Sequence, residues 1–478
     1  MDLLKQEDRA ELAKKALAHI TDKEAERSKK EDKIYKGKLR HHVKEYLLEQ
    51  LDPTTVKTMP IVSSVNMCKR IVDKKASIYR SEPERKFNGS DEQIQAVSAI
   101  YEGLKIKQKL TRCNRVFENS GQCFLQVVHN KNQKKFELRV LKKHQCYAVS
   151  RVDKPTEMEA FVIIGGDTSD ANNVVFAVWS DKYNFLMNIK GEILSIDAEG
   201  KPDTKNPLGM IPAIDISDED EKENSVFVHH DHSLIDFTIQ INAALSDLFY
   251  IMRSQGYAIP FIKGPMAVLK ALESVTVGPN RILKLPTDQE TGEGKTSEVS
   301  FDFVSANPDL SASIETISTL LSAFLTSQNI DPKTINFKGD GKSFSSGWER
   351  FLSLVESFEA SQDAIGIFKN VEEQLFSIVK KFHDAYSSDV EKLDAKYKTS
   401  KLYGVTMSVV FAGPEMIETR SEKLERLKKE KDYGVISQVD FIAQYRGVSK
   451  EEAKLIVEQI NEDNNGLNTT EKTSAEIQ

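Results

Sequence analysis

Residues 233–255 read SLIDFTIQINAALSDLFYIMRSQ, and this stretch decides the architecture of the chain. Apolar residues recur along it at steps of three and four, which is the period of one face of an α-helix. These residues are Leu234, Phe237, Ile241, Leu245, Leu248 and Met252. The pattern Ser233-x-x-Asp236 is a variant of the capping box that satisfies free N–H groups in a first helical turn. The sequence therefore predicts a long helix that begins at Ser233 and ends at Gly256.

Two further long helices are predicted downstream. Asn307-Pro308 places a favoured N-cap residue before a proline at the first helical position, and the helix continues to Ile330 without any Lys or Arg. One face carries Leu310, Ile314, Ile317, Leu321 and Phe324, and the other faces carry Ser311, Ser313, Ser318, Thr319, Ser322 and Thr326. A second capping box, Ser346-x-x-Glu349, opens a proline-free run over 348–386, in which Gly366 marks a site for a kink or break. A helix of that length would reach on the order of 60 Å and would need neighbours, which indicates a structural subunit of a large assembly and not an enzyme.

The N-terminal third is predicted to be helical and then β-rich. Residues 1–50 are highly charged, with only a thin apolar stripe, and are interpreted as a helical arm. Apolar spacing predicts further helices over 62–80 and near 91–117. Short β-branched and aromatic runs then predict an antiparallel β-rich block. The runs are 123–128, 136–141, 161–164, 174–179 and 185–189.

The remaining segments complete an α+β fold class. An acidic tract extends over 215–223, and within it 218–221 is interpreted as a solvated acidic turn, because it lacks the glycine and the distal Glu of a calcium loop. Strands are predicted near 281–285 and 299–304, and a late strand over 403–411 is expected to rejoin the β-rich block. Residues 421–431 are predicted to be helical, followed by two short helices capped by Ser437-x-x-Asp440 and Ser449-x-x-Glu452.

The composition limits the functions that the chain can have. Of 478 residues, 39% are hydrophobic and 29% are charged, and the net charge is −7. Because tight phosphate binding needs clustered Lys and Arg, any DNA contact is expected to be local. No apolar run approaches the roughly 20 residues of a membrane span, and the acidic N-terminus does not resemble a secretory signal. Four cysteines without Cys-x-x-Cys spacing fit a reduced cytoplasm.

The strongest enzymatic motif is Gly341-Lys342-Ser343, which resembles the end of a phosphate-binding loop. The first glycine of that motif would fall on Asn336, and the segment upstream is a Ser/Thr-rich helix where a buried strand is required. His229-His230-Asp231-His232 is interpreted as a helix-entry loop, because adjacent residues seldom converge on one metal ion. A helix-turn-helix over 435–460 is disfavoured, because its second helix is acidic. No catalytic residue, metal site or cofactor is therefore predicted.

The loop 331–345 carries Lys333, Lys338 and Lys342 beside Gly339 and Gly341. Lysines in an exposed loop often serve solubility alone. The helix before the loop raises a second interpretation, because its hydroxyl-rich surface could line a passage without holding tightly what moves through it.

The order of these features resembles the portal proteins of tailed bacteriophages, particularly the branch of the Gram-positive phage portal used as a prototype. The early element is Asn66-Met67-Cys68-Lys69-Arg70-Ile71-Val72-Asp73, leading to Tyr79 and Pro83, where the family's glycine before the proline is missing. Leu208-Gly209-Met210-Ile211-Pro212 then precedes a helix with Asp236, Asn242 and Ser246, and Ala258-Ile259-Pro260 follows it. The resemblance covers nearly the whole chain and rests on the ordered set of features.

The resemblance implies a division of the chain into portal domains. An N-terminal arm (1–50) and a wing (51–231) would precede stem helix 1 (232–256), a small α/β clip (257–306) and stem helix 2 (307–330). A tunnel loop (331–345), a long helix with a return strand of the wing (346–418), a helical crown (419–462) and a disordered tail (463–478) would follow. The implied subunit is elongated.

The resemblance also implies a function and partners. Subunits would form a ring, typically of twelve, at one capsid vertex, with double-stranded DNA passing through the channel during packaging and ejection. Terminase and the head-completion proteins of the tail connector would dock on it, and major capsid and scaffolding proteins would be further partners. Lys333, Lys338 and Lys342 are hypothesised to contact the DNA backbone loosely and without sequence preference. Two alternatives remain at this point: a DNA-dependent NTPase using Gly341-Lys342-Ser343, and a helical scaffold protein without a DNA role.

Overall fold

The computed structural model describes most of the chain in atomic detail. The described residues are 2–130, 135–166, 173–195, 202–218, 220, 222–255, 259–264, 283–286, 300–304, 310–332, 362–386, 402–411, 420–448 and 452–460. They form two compact units, one made of Met1–Phe337 with Glu359–Ala412 and one made of Lys338–Phe358 with Gly413–Gln478. Helices and strands are mixed in the first unit, so the predicted α+β class is confirmed.

The N-terminal segment is a set of packed helices and not one arm. Its helices are α1 (Gln6–Thr21), α2 (Lys23–Tyr35), α3 (Arg40–Gln50) and α4 (Pro53–Thr58). The turn between α1 and α2 is fixed by Asp22, whose side chain accepts from the Ala25 N–H. The thin apolar stripe of α1 is fully buried against a β-sheet, because its alanines let the helix approach closely. The buried Arg9 guanidinium also donates to the Gly191 carbonyl at 2.7 Å.

The next three helices are shorter than the sequence predicts. They are α5 (Met67–Lys75), α6 (Asp91–Leu104) and α7 (Ile106–Ser120). The predicted helix over 62–80 therefore loses both ends, and residues 61–66 are not helical. The predicted helix near 91–117 is two helices, which meet at Lys105 in the left-handed region with φ 52°. This break allows Leu104 and Ile106 both to be buried.

The β-rich block is antiparallel, as predicted, but it consists of two sheets. One has the strand order β3-β2-β8 and the other the order β4-β5-β6-β7. The strands are β2 (Gln122–Asn130), β3 (Lys135–Lys142), β4 (Cys146–Ser150), β5 (Met158–Gly166), β6 (Val174–Ser180), β7 (Asn184–Met187) and β8 (Ala213–Ser217). Strands β4 and β8 were not predicted, and a 3₁₀ turn over Lys143–Gln145 joins the two sheets.

Asp215, at the start of the acidic tract, is largely buried, whereas Asp220 in the predicted solvated turn is exposed. Asp215 lies in β8, where its carboxylate accepts from Gln122 Nε2 at 2.7 Å and pairs with Lys222 at 2.7 Å. Burial raises the pKa of the Asp215 carboxyl, and Lys222 and Gln122 oppose that shift. The carboxylate is tolerated there because each partner supplies a charge or a donor.

The late strand does not rejoin the β-rich block. Strand β12 (Thr406–Val410) pairs antiparallel with β1 (Glu84–Asn88) in a separate two-stranded sheet. Helix α10 (Gln362–Tyr386) shares a hydrophobic core with this sheet, and Glu372 at its centre is fully buried. Arg85 of β1 donates to both oxygens of Glu372, at 3.0 Å and 2.7 Å, and the Tyr79 hydroxyl donates at 3.2 Å. The helix is continuous through Gly366, so no break occurs there.

The two remaining long helices are α8 (Ser233–Gln255) and α9 (Leu310–Ser327), and the first begins at its predicted residue, while its predicted end, Gly256, lies outside the described residues. Between them lie β9 (Ile259–Gly264), β10 (Leu283–Pro286) and β11 (Ser300–Val304); the last two lie near the predicted strands, and β9 was not predicted. Strand β9 is central, parallel to β10 and antiparallel to β11. The predicted starts of the second and third long helices, at Asn307-Pro308 and Ser346, lie outside the described residues.

The second unit is helical in its described part. It contains α11 (Arg420–Asp432) and α12 (Gln438–Arg446), and residues 452–460 are also helical. The predicted capping box at Ser437 and Asp440 is present, with both reciprocal hydrogen bonds formed. Ser449 and the tail 463–478 lie outside the described residues.

Candidate functional site

Helices α8 and α9 pack together through aromatic and aliphatic side chains. The rings of Phe237 and Phe324 are stacked, with centroids 3.9 Å apart and planes 10° apart. Leu321 and Leu325 of α9 are buried in the same cluster as Ile235 and Ile239 of α8. The apolar face predicted for α9 is therefore the face that contacts α8 at its C-terminal half.

A row of buried polar side chains fixes α8 to the segment before α5. Thr238, Asn242 and Ser246 are spaced four residues apart, and all three are fully buried. The Cys68 N–H donates to Thr238 Oγ1 at 2.9 Å, and the Val62 N–H donates to Ser246 Oγ at 2.9 Å. Asn242 accepts from the Val65 N–H at 3.2 Å and donates to the Val65 carbonyl at 2.7 Å. These bonds pair the Val62 N–H and both backbone groups of Val65, in a segment that is mostly half-buried.

This contact explains how a helix as apolar as α8 fits the molecule. By length and composition, residues Ser233–Arg253 could cross a membrane, and they are the one described segment that meets this criterion. Their buried polar row bonds to the protein's own backbone, and their apolar residues pack in a core cluster. The N-terminal half of the helix is therefore packed in the core of this chain, whereas Phe249 and Met252 near its C-terminal end are exposed.

The outward surface of α9 carries hydroxyl groups and almost no charge. Four of them donate to the carbonyl four residues earlier, each at 2.9 Å: Thr316, Thr319, Ser322 and Thr326. Glu315 is the helix's one charged side chain. Because the hydroxyl protons are used inside the helix, the surface offers few donors to a passing anion and no fixed cation.

The end of α9 is a rigid starting point for the predicted tunnel loop. Asn329 adopts the left-handed conformation with φ 55°, and the Ile330 N–H bonds to the Leu325 carbonyl at 2.9 Å, which is a Schellman-type helix end. Ile330 is buried in the core that joins α8 and α9. Lys75, at the end of α5, donates to Gln328 Oε1 at 3.1 Å. The role of Lys75 was not predicted. The helix end itself carries a recognisable sequence signal, because Asn329 is followed by the apolar Ile330.

Lys333, Lys338, Lys342 and the Gly341-Lys342-Ser343 motif all lie outside the described residues. What the structure describes on this side of the loop is the helix that leads into it, the fixed residue Ile330 and the neighbouring Lys75.

The histidine-rich entry to α8 forms a hydrogen-bonded joint. His232 Nδ1 lies 2.6 Å from Glu31 Oε1 of α2, and this hydrogen bond raises the pKa of His232. Burial lowers the pKa of the neighbouring His230 to about 4. Ser233 is the first helical residue, and its hydroxyl donates to Asp231 Oδ2 at 2.6 Å, while the Asp236 N–H bonds to the His232 carbonyl. The predicted capping box at Ser233 is therefore wrong, and Asp231 ties down the helix entry instead.

Metal donors are not grouped in the part of the chain that the structure describes. No set of three or more His, Cys, Asp or Glu side chains there could hold an ion. His229 lies 3.8 Å from Glu24 and is largely exposed. The histidines of this segment join α2 to α8, in the position of a helix-entry loop.

Comparisons with known proteins connect this geometry to a family. The sequence matches the family model described as "Phage portal protein, SPP1 Gp6-like" over residues 14–466. No curated protein matches the chain. Among solved structures, the chain is similar to one titled "Neck of empty GTA particle computed with C6 symmetry", with 10% identity, a TM-score of 0.41 and coverage of 80% of this chain and 89% of that chain. It is also similar to a chain of "Virion of native gene transfer agent (GTA) particle", with 11% identity, a TM-score of 0.38 and coverage of 85% and 99%.

Proposed function

Because the chain belongs to the SPP1 Gp6-like phage portal protein family, we propose that twelve copies of it form a ring around a DNA channel at one capsid vertex. Portal proteins are structural, non-enzymatic components of the virion, and the family implies an oligomeric ring in the virion neck. The prediction that the chain is not an enzyme is thus confirmed. The two alternatives left by the sequence, an NTPase and a cellular scaffold protein, are set aside by the family match.

The proposed channel conducts the genome during packaging and ejection. The single observation that carries this proposal is the family match over residues 14–466. The surface of α9 adds a physical reason, because a helix that presents self-bonded hydroxyls and one acidic side chain cannot bind phosphates tightly. DNA could move past such a surface without being held at each step.

The portal domains and partners stay proposals. In this assignment α8 and α9 are the stem helices 232–256 and 307–330, and the three-stranded sheet belongs to the clip 257–306. Terminase and head-completion proteins would dock at the clip, while major capsid and scaffolding proteins would surround the ring. Lys333, Lys338 and Lys342 would touch the DNA backbone from the tunnel loop.

Negative-stain electron microscopy of the purified protein tests the ring. The expected result is a population of rings with a central hole and twelvefold symmetry, supported by native mass spectrometry. A population that stays monomeric under all assembly conditions would contradict the proposal. Rings with another number of subunits would contradict the stoichiometry alone.

A triple substitution tests the loop lysines separately from assembly. Replacing Lys333, Lys338 and Lys342 with Ala is expected to leave rings intact and to reduce the DNA packaged per particle. The matched control replaces Lys14, Lys182 and Lys190, three exposed lysines of α1 and the β6–β7 region, and should package normally. If the loop variant fails to form rings, the loop has a structural role; if it packages like the control, the lysines have no role in DNA movement.

A further inference from the structure

A strongly basic surface lies at the C-terminal end of α2, on α5 and α7, and at the end of β3. It comprises Lys36, Lys69, Arg70, Arg112, Arg115 and Lys142, and is called the basic patch below. The whole chain is acidic, with a net charge of −7, so this concentration of cations is a local departure from its composition. All of its members belong to the first compact unit.

Ion pairs join three members of the basic patch to two acids. Asp32 pairs with Lys36 at 2.7 Å and also with Lys142. Asp73 pairs with Arg115 at 3.2 Å and accepts from the Tyr35 hydroxyl at 2.7 Å. The charges of Lys36 and Arg112 both act on Lys142, and Arg112 lies one helical turn before Arg115, so the two acids and their partners lie on one surface.

The remaining cations have no acidic partner among the described residues. Lys69 and Arg70 are exposed on the same helix as Asp73, and neither makes an ion pair there. Arg112 lies one helical turn before Arg115 on α7 and is also exposed and unpaired in the described part of the chain. The basic patch therefore sets six cations against two carboxylates, which leaves a surplus of positive charge.

The cations are close enough to repel each other. Burial lowers the pKa of Lys142, and the charges of Lys36 and Arg112 lower it further, while Asp32 opposes the shift. Helix α7, which carries Arg112, is fixed because Leu110 and Cys113 on its other side are fully buried. Repulsion between fixed like charges costs stability, and a polyanion would relieve it.

The surface around the basic patch favours a nucleic acid over a protein as the partner. Protein interfaces are centred on buried aromatic and aliphatic anchors. Among the described residues, the exposed large apolar side chains lie on other elements, and none is on α2, α5 or α7. Exposed Lys and Arg without an apolar centre are what sequence-independent contact with phosphates requires.

We propose that the basic patch binds the sugar-phosphate backbone of double-stranded DNA, as a second contact surface independent of the tunnel loop. The choice of DNA among polyanions rests on the proposed function. The contact is expected to be sequence-independent and sensitive to salt, because it consists of phosphate neutralisation alone.

The test measures binding of a short labelled duplex to the full-length protein by fluorescence anisotropy at several salt concentrations. The variant replaces Lys69, Arg70 and Arg112 with Gln, because these three cations make no ion pair that the fold needs. The matched control replaces Lys14, Lys182 and Lys190 with Gln and changes the net charge equally. Relative to the control, the variant is expected to bind roughly 10- to 100-fold more weakly at low salt, with the slope of log K against log salt reduced by about 2 to 3.

Equal affinity and equal slope for the variant and the control would overturn the proposal. Binding of polyglutamate as tightly as DNA at equal charge would also overturn it, because the partner would then be an acidic protein segment. Circular dichroism and ring formation of both variants show whether the fold survives; if the triple variant unfolds, Arg112→Gln alone is compared with Lys182→Gln. Absence of rings in the unmodified protein would refute the ring and leave the patch measurement valid.

Discussion

Helices α8 and α9 carry similar polar side chains that make different sets of hydrogen bonds. On α8, Thr238, Asn242 and Ser246 are buried and donate to carbonyls of their own helix, and their oxygens also accept from backbone N–H groups of another segment. On α9, Thr316, Thr319 and Thr326 are exposed and bond to their own helix. The two helices pack against each other through a stacked Phe pair.

The two helices differ in whether their polar side chains also bond to the backbone of another segment. When a buried side chain that bonds to the backbone of another segment is removed, the donors and acceptors of that segment are left unpaired. An exposed hydroxyl can be replaced by water. Small polar residues on α8 therefore fix the helix in place, and those on α9 give it a smooth surface. Substitutions along the two helices test this contrast.

The largest effect is expected for Asn242→Leu. The substitution keeps the volume but leaves the N–H and carbonyl of Val65 without a partner, so the free energy of unfolding should fall by about 2–4 kcal/mol. Chemical denaturation at one fixed protein concentration measures this. Gln240→Leu, at an exposed position of the same helix, is the control and should stay within about 0.5 kcal/mol. Equal effects for the two variants would remove the contrast.

The next effect concerns the contact between the helices. Phe324→Ala should lower the free energy of unfolding by about 2–3 kcal/mol, less than for a fully buried Phe because both rings are half-buried. A double-mutant cycle with Phe237→Ala should give a coupling of about 0.5–1.5 kcal/mol for the stacked pair. Additive single effects would show that the rings contribute through burial alone.

A smaller, pH-dependent effect is expected at the entry to α8. Glu31 raises the pKa of His232, so the folded state binds this proton more tightly than the unfolded state. The resulting stabilisation is complete below the unfolded pKa near 6.5 and is lost as the pH rises through the higher folded pKa. The free energy of unfolding is measured as a function of pH. For His232→Gln it should be about 1–2 kcal/mol lower than for the unmodified protein at acidic pH, and the difference should be smaller at alkaline pH. The pH dependence should disappear when His232→Gln is made in a Glu31→Gln background; its persistence would exclude Glu31 as the cause.

The smallest effect is expected on the surface of α9. Replacing Thr319 and Thr326 with Val removes two hydroxyls that bond only within the helix, so the free energy of unfolding should change by less than about 0.5 kcal/mol. Ring formation should be unchanged, as seen by negative stain. A loss of more than about 1 kcal/mol would show that these hydroxyls serve another segment, as on α8.

The long helices could be predicted because their signal is local. In α8 the apolar residues repeat over six turns, and the start at Ser233 was placed correctly. The partner of its polar row could not be predicted, because Asn242 and Val65 are 177 residues apart in the chain. The same contact explains why 61–66 is not helical: hydrogen bonds to α8 outweigh the local helical spacing.

The errors in the β regions have a related cause. Strand β1 reads Glu-Arg-Lys-Phe-Asn, which has too few apolar residues to be recognised, and its partner β12 lies near the other end of the chain. The pairing depends on Arg85 reaching the buried Glu372, a contact without a sequence motif. For the candidate site, the hydroxyl-rich helix could be predicted from composition, whereas the hydrogen bonds that neutralise its donors required coordinates.

The buried end of α9 sets a limit on how far the tunnel-loop lysines can act. Ile330 is held in the core, so the chain beyond it has a fixed origin. An extended chain spans at most about 3.5 Å per residue, so the backbone of Lys333 stays within about 10 Å of Ile330, whereas that of Lys338 could lie up to about 28 Å away. The three lysines therefore differ in their reach from Ile330. Lys333 stays close to the C-terminal end of α9, whatever conformation the rest of the loop adopts.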